Sequence, residues 1–182
     1  MSELPFPDRP NVLITGTPGT GKTTLCEMVV SKCPELVHVN VGDRVREMEL
    51  HTGWNEEFQC HDLDEDKLVD HLEEEMVHPG GRIVDFHSPD VFPERWFKRG
   101  GLIIVLRTPT APLYDRLVKR GYSEKKVQEN MEAEIMQVVL EEARESYPSD
   151  ETQVVELASS SVEELESNAD RIVAWWQQAK NQ

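Results

Sequence analysis

The chain has 182 residues, 38% hydrophobic and 30% charged, enough for one domain with its own core and no need of disulfides or metal staples. Its formal net charge of −16 repels phosphate backbones and anionic lipid, which argues against strong direct nucleic-acid or membrane binding while leaving room for a basic protein partner. The longest apolar stretch, 102–106, is far too short to cross a bilayer, and Met1-Ser2-Glu3-Leu4-Pro5 lacks the pattern of a signal peptide, so a soluble intracellular protein is expected.

Residues 11–15 (NVLIT) form a short apolar run ending at glycine, which predicts a strand buried on both faces. A helix follows from Lys22 or Thr23 to about Lys32, stopped before Pro34. Residues 37–40 predict a second strand and 43–51 a helix. Over 64–77, Leu68, Val69, Leu72 and Met76 recur at helical spacing, closed off by Pro79-Gly80-Gly81. Third and fourth strands are expected at 83–86 and 102–106, and a helix at 111–119. One longer helix over 124–146 is predicted, with Val127, Met131, Ile135, Val138, Val139 and Ala143 on one face. A fifth strand at 154–157 precedes a last helix, capped by Ser161 with Glu164 three residues on, running to about Lys180. Of the adjacent Trp175 and Trp176, one should be core and the other a partly exposed edge. Strands alternating with helices imply a parallel sheet covered on both faces, with ligands at the carboxyl ends of the strands, near Thr15, Asp85 and Arg107.

The strongest local signal is Gly16-Thr17-Pro18-Gly19-Thr20-Gly21-Lys22-Thr23, followed by Thr24, set between the first strand and the first helix. Glycines let the backbone curl so that successive N–H groups point at phosphate oxygens, and the helix start adds its own free N–H groups. Lys22 is expected to reach the β- and γ-phosphates of ATP and Thr23 to ligate Mg²⁺. Asp85, at the end of an apolar strand, is the expected second holder of that ion. His87 either positions water or phosphate, or is a hydrogen-bonded rim histidine. No Asn-Lys-x-Asp guanine-reading segment is present. The cysteines Cys26, Cys33 and Cys60 read as buried or idle thiols, because Cys60-His61 has no second ligand pair at finger or ribbon spacing.

The phosphate loop, Asn40-Val41-Gly42-Asp43, the segment 54–60 with Leu63-Asp64-Glu65-Asp66, Val84-Asp85-Phe86-His87, Phe92-Pro93-Glu94-Arg95-Trp96 and Arg120-Gly121-Tyr122-Ser123-Glu124-Lys125-Lys126 occur in order. Together they resemble the atypical nuclear adenylate kinases, a family also described as coilin-interacting nuclear ATPases and small-subunit ribosome assembly factors. The resemblance runs from about residue 11 to 176. It implies a P-loop nucleoside monophosphate kinase fold, a five-stranded parallel sheet with helices on both faces in a single domain over 1–182. Residues 40–63 would then bind the monophosphate, with Gly42 and Asp43 opening a helix and Arg46 reaching the acceptor's phosphate. Residues 119–129 would form a short lid in which Arg120 and Arg116 close over the ATP phosphates. The implied activity is transfer of the γ-phosphoryl of ATP to AMP with Mg²⁺, together with ATP hydrolysis associated with the Asp85-x-His87 pair. A small-subunit ribosomal protein and pre-ribosomes are the implied partners, with roles in rRNA maturation in nucleus and cytoplasm. Two other readings stay open: an assembly ATPase with little kinase turnover, and a kinase of another small metabolite. Arg95 comes later than the usual arginine after the third strand, so that arginine's role does not pass to it. The stretch 158–161, placed against the adenine in such kinases, carries no basic residue.

Overall fold

The computed structural model describes residues 5–55, 60–148 and 150–181. In chain order the elements are β1 (Val12–Thr15), α1 (Lys22–Lys32), β2 (Val37–Asn40), α2 (Val41–Glu47), β3 (His51–Asn55), β4 (Cys60–Leu63), α3 (Glu65–Val77) and β5 (Arg82–Asp85). They continue as β6 (Leu102–Arg107), α4 (Thr110–Lys119), α5 (Glu124–Ile135), α6 (Val138–Ser146), β7 (Gln153–Ala158) and α7 (Val162–Ala179). Short 3₁₀ turns at Pro89–Val91 and Glu94–Phe97 join β5 to β6.

The main sheet has the order β2-β5-β1-β6-β7, and every pairing in it is parallel. All four residues of β1 are buried, because helices cover both faces of the central strands. Side chains alternate between two cores. Leu13, Val84, Ile103 and Val105 pack with Leu68, Leu72, Trp96 and Phe97, whereas Val12, Ile14, Ile83 and Ile104 pack with Leu25, Val29, Ile172 and Trp176. Trp176 is fully buried and donates its indole N–H to the Pro10 carbonyl at 2.8 Å, while Trp175 is only partly buried. Parallel pairing brings the ends of β1, β2, β5, β6 and β7 to one edge of the sheet.

Three local expectations are corrected. The helix expected over 43–51 begins at Val41 and ends at Glu47. Asn40 caps it by accepting from the Asp43 N–H at 3.1 Å, and Glu49, at φ 53°, turns the chain out into β3. β3 and β4 form an antiparallel hairpin inside the expected monophosphate-binding region, with residues 56–59 outside the described residues. The single helix expected over 124–146 is two, α5 and α6, broken at Gln137 with φ 60°. Val127 and Ala143 are buried as expected, but the break leaves Ile135 and Val138 exposed and turns Leu140 into the core instead. The reason for the break is a tertiary hydrogen-bond set at Glu134, described below. At α7, Ser161 accepts from the Glu164 N–H, but the Glu164 carboxylate accepts from Ser160 N–H at 2.6 Å, one residue before the cap.

Candidate active site

The loop between β1 and α1 is shaped by its glycines. Gly16 and Gly19 hold φ of 145° and 94°. A Cβ on Gly16 would lie 2.8 Å from the Leu106 carbonyl oxygen, and one on Gly19 would lie 2.9 Å from Leu113, so neither position admits a larger residue without displacement. Thr20 braces the curl, its hydroxyl donating to the Thr17 carbonyl at 2.8 Å, and Ser159 after β7 donates to the Thr20 carbonyl at 2.5 Å. α1 then opens at Lys22 with no side-chain cap and no acidic residue in its first turn, leaving its leading N–H groups for an anion.

Lys22 is folded back on this loop. Its ammonium donates to the carbonyls of Gly16 at 2.9 Å and Thr17 at 3.3 Å. Burial pushes its pKa down to about 8; the Asp85 carboxylate opposes that shift and the Arg120 guanidinium adds to it. Asp85, at the end of β5 and 5% exposed, accepts from the Thr23 hydroxyl at 2.5 Å and from the Asn40 side-chain amide at 3.4 Å. The two residues expected to share a magnesium ion are therefore in direct contact, and Asn40 links the same aspartate to the start of α2. A carboxylate beside a threonine hydroxyl is an all-oxygen donor pair, which fits a hard, largely hydrated cation such as Mg²⁺.

His87 lies just beyond the strand, its ring 4.5 Å from that of Phe86. Burial and then the Lys22 charge lower its pKa. Part of the residue is open to water, which limits the size of that shift, but its direction keeps the imidazole neutral at pH 7.

The arginines are divided by the structure. Arg116 spends its fork on main-chain carbonyls, those of Gly19 at 3.3 Å, Ser159 at 3.0 Å and Ser160 at 3.0 Å. It fastens the phosphate loop to the turn after β7 and acts there as a fixed positive charge. Arg120 is exposed, and its guanidinium has no hydrogen bond or ion pair among the described residues. With Arg116, Lys119, Thr24, Gly21, Val162 and Leu165 it borders a cavity of about 480 Å³ beside the loop. Behind Arg120 the turn ends at Ser123, which caps α5 by accepting from Lys126 N–H, and the Lys126 ammonium sits 4.5 Å over the Tyr122 ring. On the side where the acceptor is expected, Gly42 and Asp43 lie in the first turn of α2, and Arg46 is 73% exposed and paired with Asp43. Arg95 is turned away from the loop, bound to Glu73 at 2.7 Å together with the Trp96 indole at 2.8 Å.

Sequence reasoning missed Glu134. It is 5% exposed, and its carboxylate accepts from the Thr17 hydroxyl at 2.6 Å, Arg107 Nε at 2.7 Å and Thr108 N–H at 3.0 Å. Arg107 also donates to the Glu134 carbonyl at 2.9 Å. These charge-assisted bonds offset the cost, about 1–2 kcal/mol, of the left-handed residue that breaks the helix at Gln137. They tie the far end of α5, whose first turns lie in the expected lid, to the phosphate loop. Among 35 acidic residues only an inward position distinguishes this one, and no local pattern reports it. Replacing Glu134 with glutamine is expected to raise the KM for ATP about tenfold, because the loop loses one charged hydrogen-bond anchor. Steady-state kinetics alongside thermal melting checks this: equal loss of stability and activity, with KM unchanged, would mean a folding role only.

The fold and this site define a P-loop nucleotide kinase. The sequence profile of the AAA domain matches residues 12–137. Adenylate kinase isoenzyme 6 homologs from Dictyostelium discoideum and Schizosaccharomyces pombe are 50% identical over 170 residues and 51% over 166. The matches cover 93% of both chains for the first and 91% of both for the second. The homolog FAP7 of Saccharomyces cerevisiae is 44% identical over 91% of this chain and 81% of its own. Among solved structures, shikimate kinase from Bacteroides thetaiotaomicron has a TM-score of 0.62 at 19% identity, covering 92% of this chain and 98% of that one, a likeness of fold alone. The chain belongs to the adenylate kinase isoenzyme 6 homolog family.

Proposed function

We propose that the protein transfers the γ-phosphoryl of ATP to AMP, with Mg²⁺ held between Thr23, Asp85 and the phosphates. The observation that carries this reading is the Thr23–Asp85 contact of 2.5 Å at the mouth of the phosphate loop, with Asn40 joining the same carboxylate to the acceptor helix. Phosphoryl transfer needs in-line positioning and cations around the spreading negative charge rather than covalent help. Lys22 and the helix α1 start bind the donor phosphates, and Arg120 closes on them from the lid. Arg46 leaves Asp43 to take the acceptor's phosphate. The base of ATP enters the cavity bordered by Arg120 and Val162, where apolar and guanidinium surfaces cover its two faces. The names of the relatives agree with this substrate choice.

When the acceptor place is empty, water takes it and ATP is hydrolysed, with neutral His87 at hand to accept a hydrogen bond from that water. A role in small-subunit ribosome assembly and rRNA maturation, in nucleus and cytoplasm, completes the proposal. It is supported by the resemblance in the motifs and by the net charge of −16, which suits a basic ribosomal protein partner.

A coupled assay of ADP formation with ATP and Mg²⁺, run with and without each nucleoside monophosphate, tests the activity. Adding AMP is expected to raise ADP production at least about tenfold over hydrolysis, the order contributed by positioning a bound acceptor. Turnover indifferent to every monophosphate would leave the assembly ATPase as the reading; stimulation by some other metabolite alone would replace the acceptor.

A further inference from the structure

Beneath the magnesium-binding face lies a second set of donor atoms. The ligand atoms of Cys26, His38 and Asp85 all lie within 4.8 Å of one another. Cys26 comes from the first turns of α1 and is fully buried, His38 comes from β2, and Asp85 ends the neighbouring strand β5. The Nε2 atom of His38 is buried with no hydrogen-bond partner among the described residues. It sits 3.5 Å from Asp85 Oδ2, outside hydrogen-bonding geometry. A buried ring nitrogen left without a partner is costly, and here it faces a thiol and a carboxylate.

We propose that Cys26, His38 and Asp85 form a binding site for a zinc-class divalent ion, and that its occupation withdraws Asp85 from magnesium. One sulfur, one imidazole nitrogen and one carboxylate oxygen are the donor set of a three-ligand zinc site whose fourth position is left to water. Bonds of about 2.0–2.3 Å from such an ion place tetrahedral ligand atoms about 3.3–3.8 Å apart. The His38–Asp85 separation of 3.5 Å already matches that spacing. The sulfur lies within 4.8 Å of both, so reaching that spacing takes a shift of no more than about 1 Å. Binding exchanges the thiol S–H bond for an S–metal bond and releases one proton to solvent. Magnesium does not compete for this position, because it demands oxygen ligands and near-octahedral geometry. The two ions instead compete for one carboxylate, the hard ion from the Thr23 side and the soft ion from the Cys26 side. Zinc thereby inhibits the enzyme from a position that touches no nucleotide. The inhibition rests on the proposed magnesium role of Asp85; the metal site does not.

The test uses the full chain without nucleotide. Zn²⁺ is titrated against a chromophoric chelator, and Co²⁺ is substituted to read the thiolate-to-metal charge-transfer band. One ion per chain is expected. The band should disappear in Cys26→Ala and persist in Cys33→Ser and Cys60→Ser, and His38→Gln should weaken zinc by about 100-fold or more, as loss of one of three ligands requires. Melting curves confirm that each variant is folded; Cys26→Ser is the second variant should alanine disturb the packing. A band that survives in both Cys26 variants, or vanishes in Cys60→Ser, overturns the site. In the kinase assay, zinc should raise the magnesium concentration needed for half-maximal rate in the parent and not in Cys26→Ala; an unchanged requirement in the parent overturns the competition. The magnesium role of Asp85 is judged separately, with zinc absent, by the Asp85→Asn variant.

Discussion

Replacing Lys22 with alanine is expected to lower ATP turnover by about 10²–10³, the loss found when one well-placed donor to a developing charge is removed. The ammonium is held by the carbonyls of Gly16 and Thr17, so the same substitution also releases two acceptors of the loop. Gly16 and Thr17 are buried, so leaving their carbonyls without this donor should also cost stability, about 1–3 kcal/mol. Lys22→Met keeps the aliphatic stem but cannot donate to either carbonyl, so it should melt and turn over like the alanine variant; turnover measured well below the melting midpoint separates the lost charge from the lost stability. The lowered pKa adds a pH signature. Above about pH 8 the Lys22 ammonium loses its proton, so affinity for ATP should fall as pH rises through that value. A drop of about tenfold between pH 7 and pH 9 is expected if the neutral amine contributes nothing. Isothermal titration at a series of pH values measures it; affinity flat across that range would mean the charge on Lys22 is not what holds the phosphates.

Asp85→Asn is expected to abolish most magnesium-dependent turnover, by about 10³, while leaving binding of metal-free ATP equal or tighter. The amide keeps the shape of the side chain and can still accept from the Thr23 hydroxyl, now at 2.5 Å from the carboxylate. What it loses is the negative charge proposed to hold the cation, an ion that in such a site supplies several kcal/mol of charge stabilisation in the transition state. Removing that charge also removes a repulsion toward the nucleotide. Because Asp85 raises the pKa of Lys22, the variant should lose ATP affinity at a lower pH than the parent does. ATP binding in excess chelator, compared with turnover in excess magnesium, shows whether the two properties separate. If both fall together, Asp85 holds the loop rather than the ion.

The position of Arg116 shows how one residue type serves two ends in this site. Three main-chain carbonyls occupy its guanidinium, whereas Arg120, four residues on, is left unpaired among the described residues. A fixed charge behind the loop costs no reorganisation when phosphate arrives, and the exposed one is free to serve the proposed lid. Arg116 on α4 and Arg120 just past the end of that helix both border the cavity beside Gly19 and Gly21.

The sequence by itself determined the alternating strand–helix order, the phosphate loop and the end of β5 as its neighbour. These are local properties: apolar runs bounded by glycine and proline report burial, and the loop's spelling reports the backbone curl that phosphate binding needs. The tertiary structure decided the rest. The hairpin β3–β4 pairs weakly patterned segments, and the break at Gln137 follows from bonds that Glu134 makes to residues 26, 27 and 117 positions away. The sulfur of Cys26 and the ring of His38 meet Asp85 only because α1 lies over β2 and β5. Periodicity sees which face of a segment is apolar, but a hydrogen bond between distant segments leaves no trace in either one. That is why the glycine loop could be read along the chain, while the anchoring of α5 and the company kept by Asp85 could not.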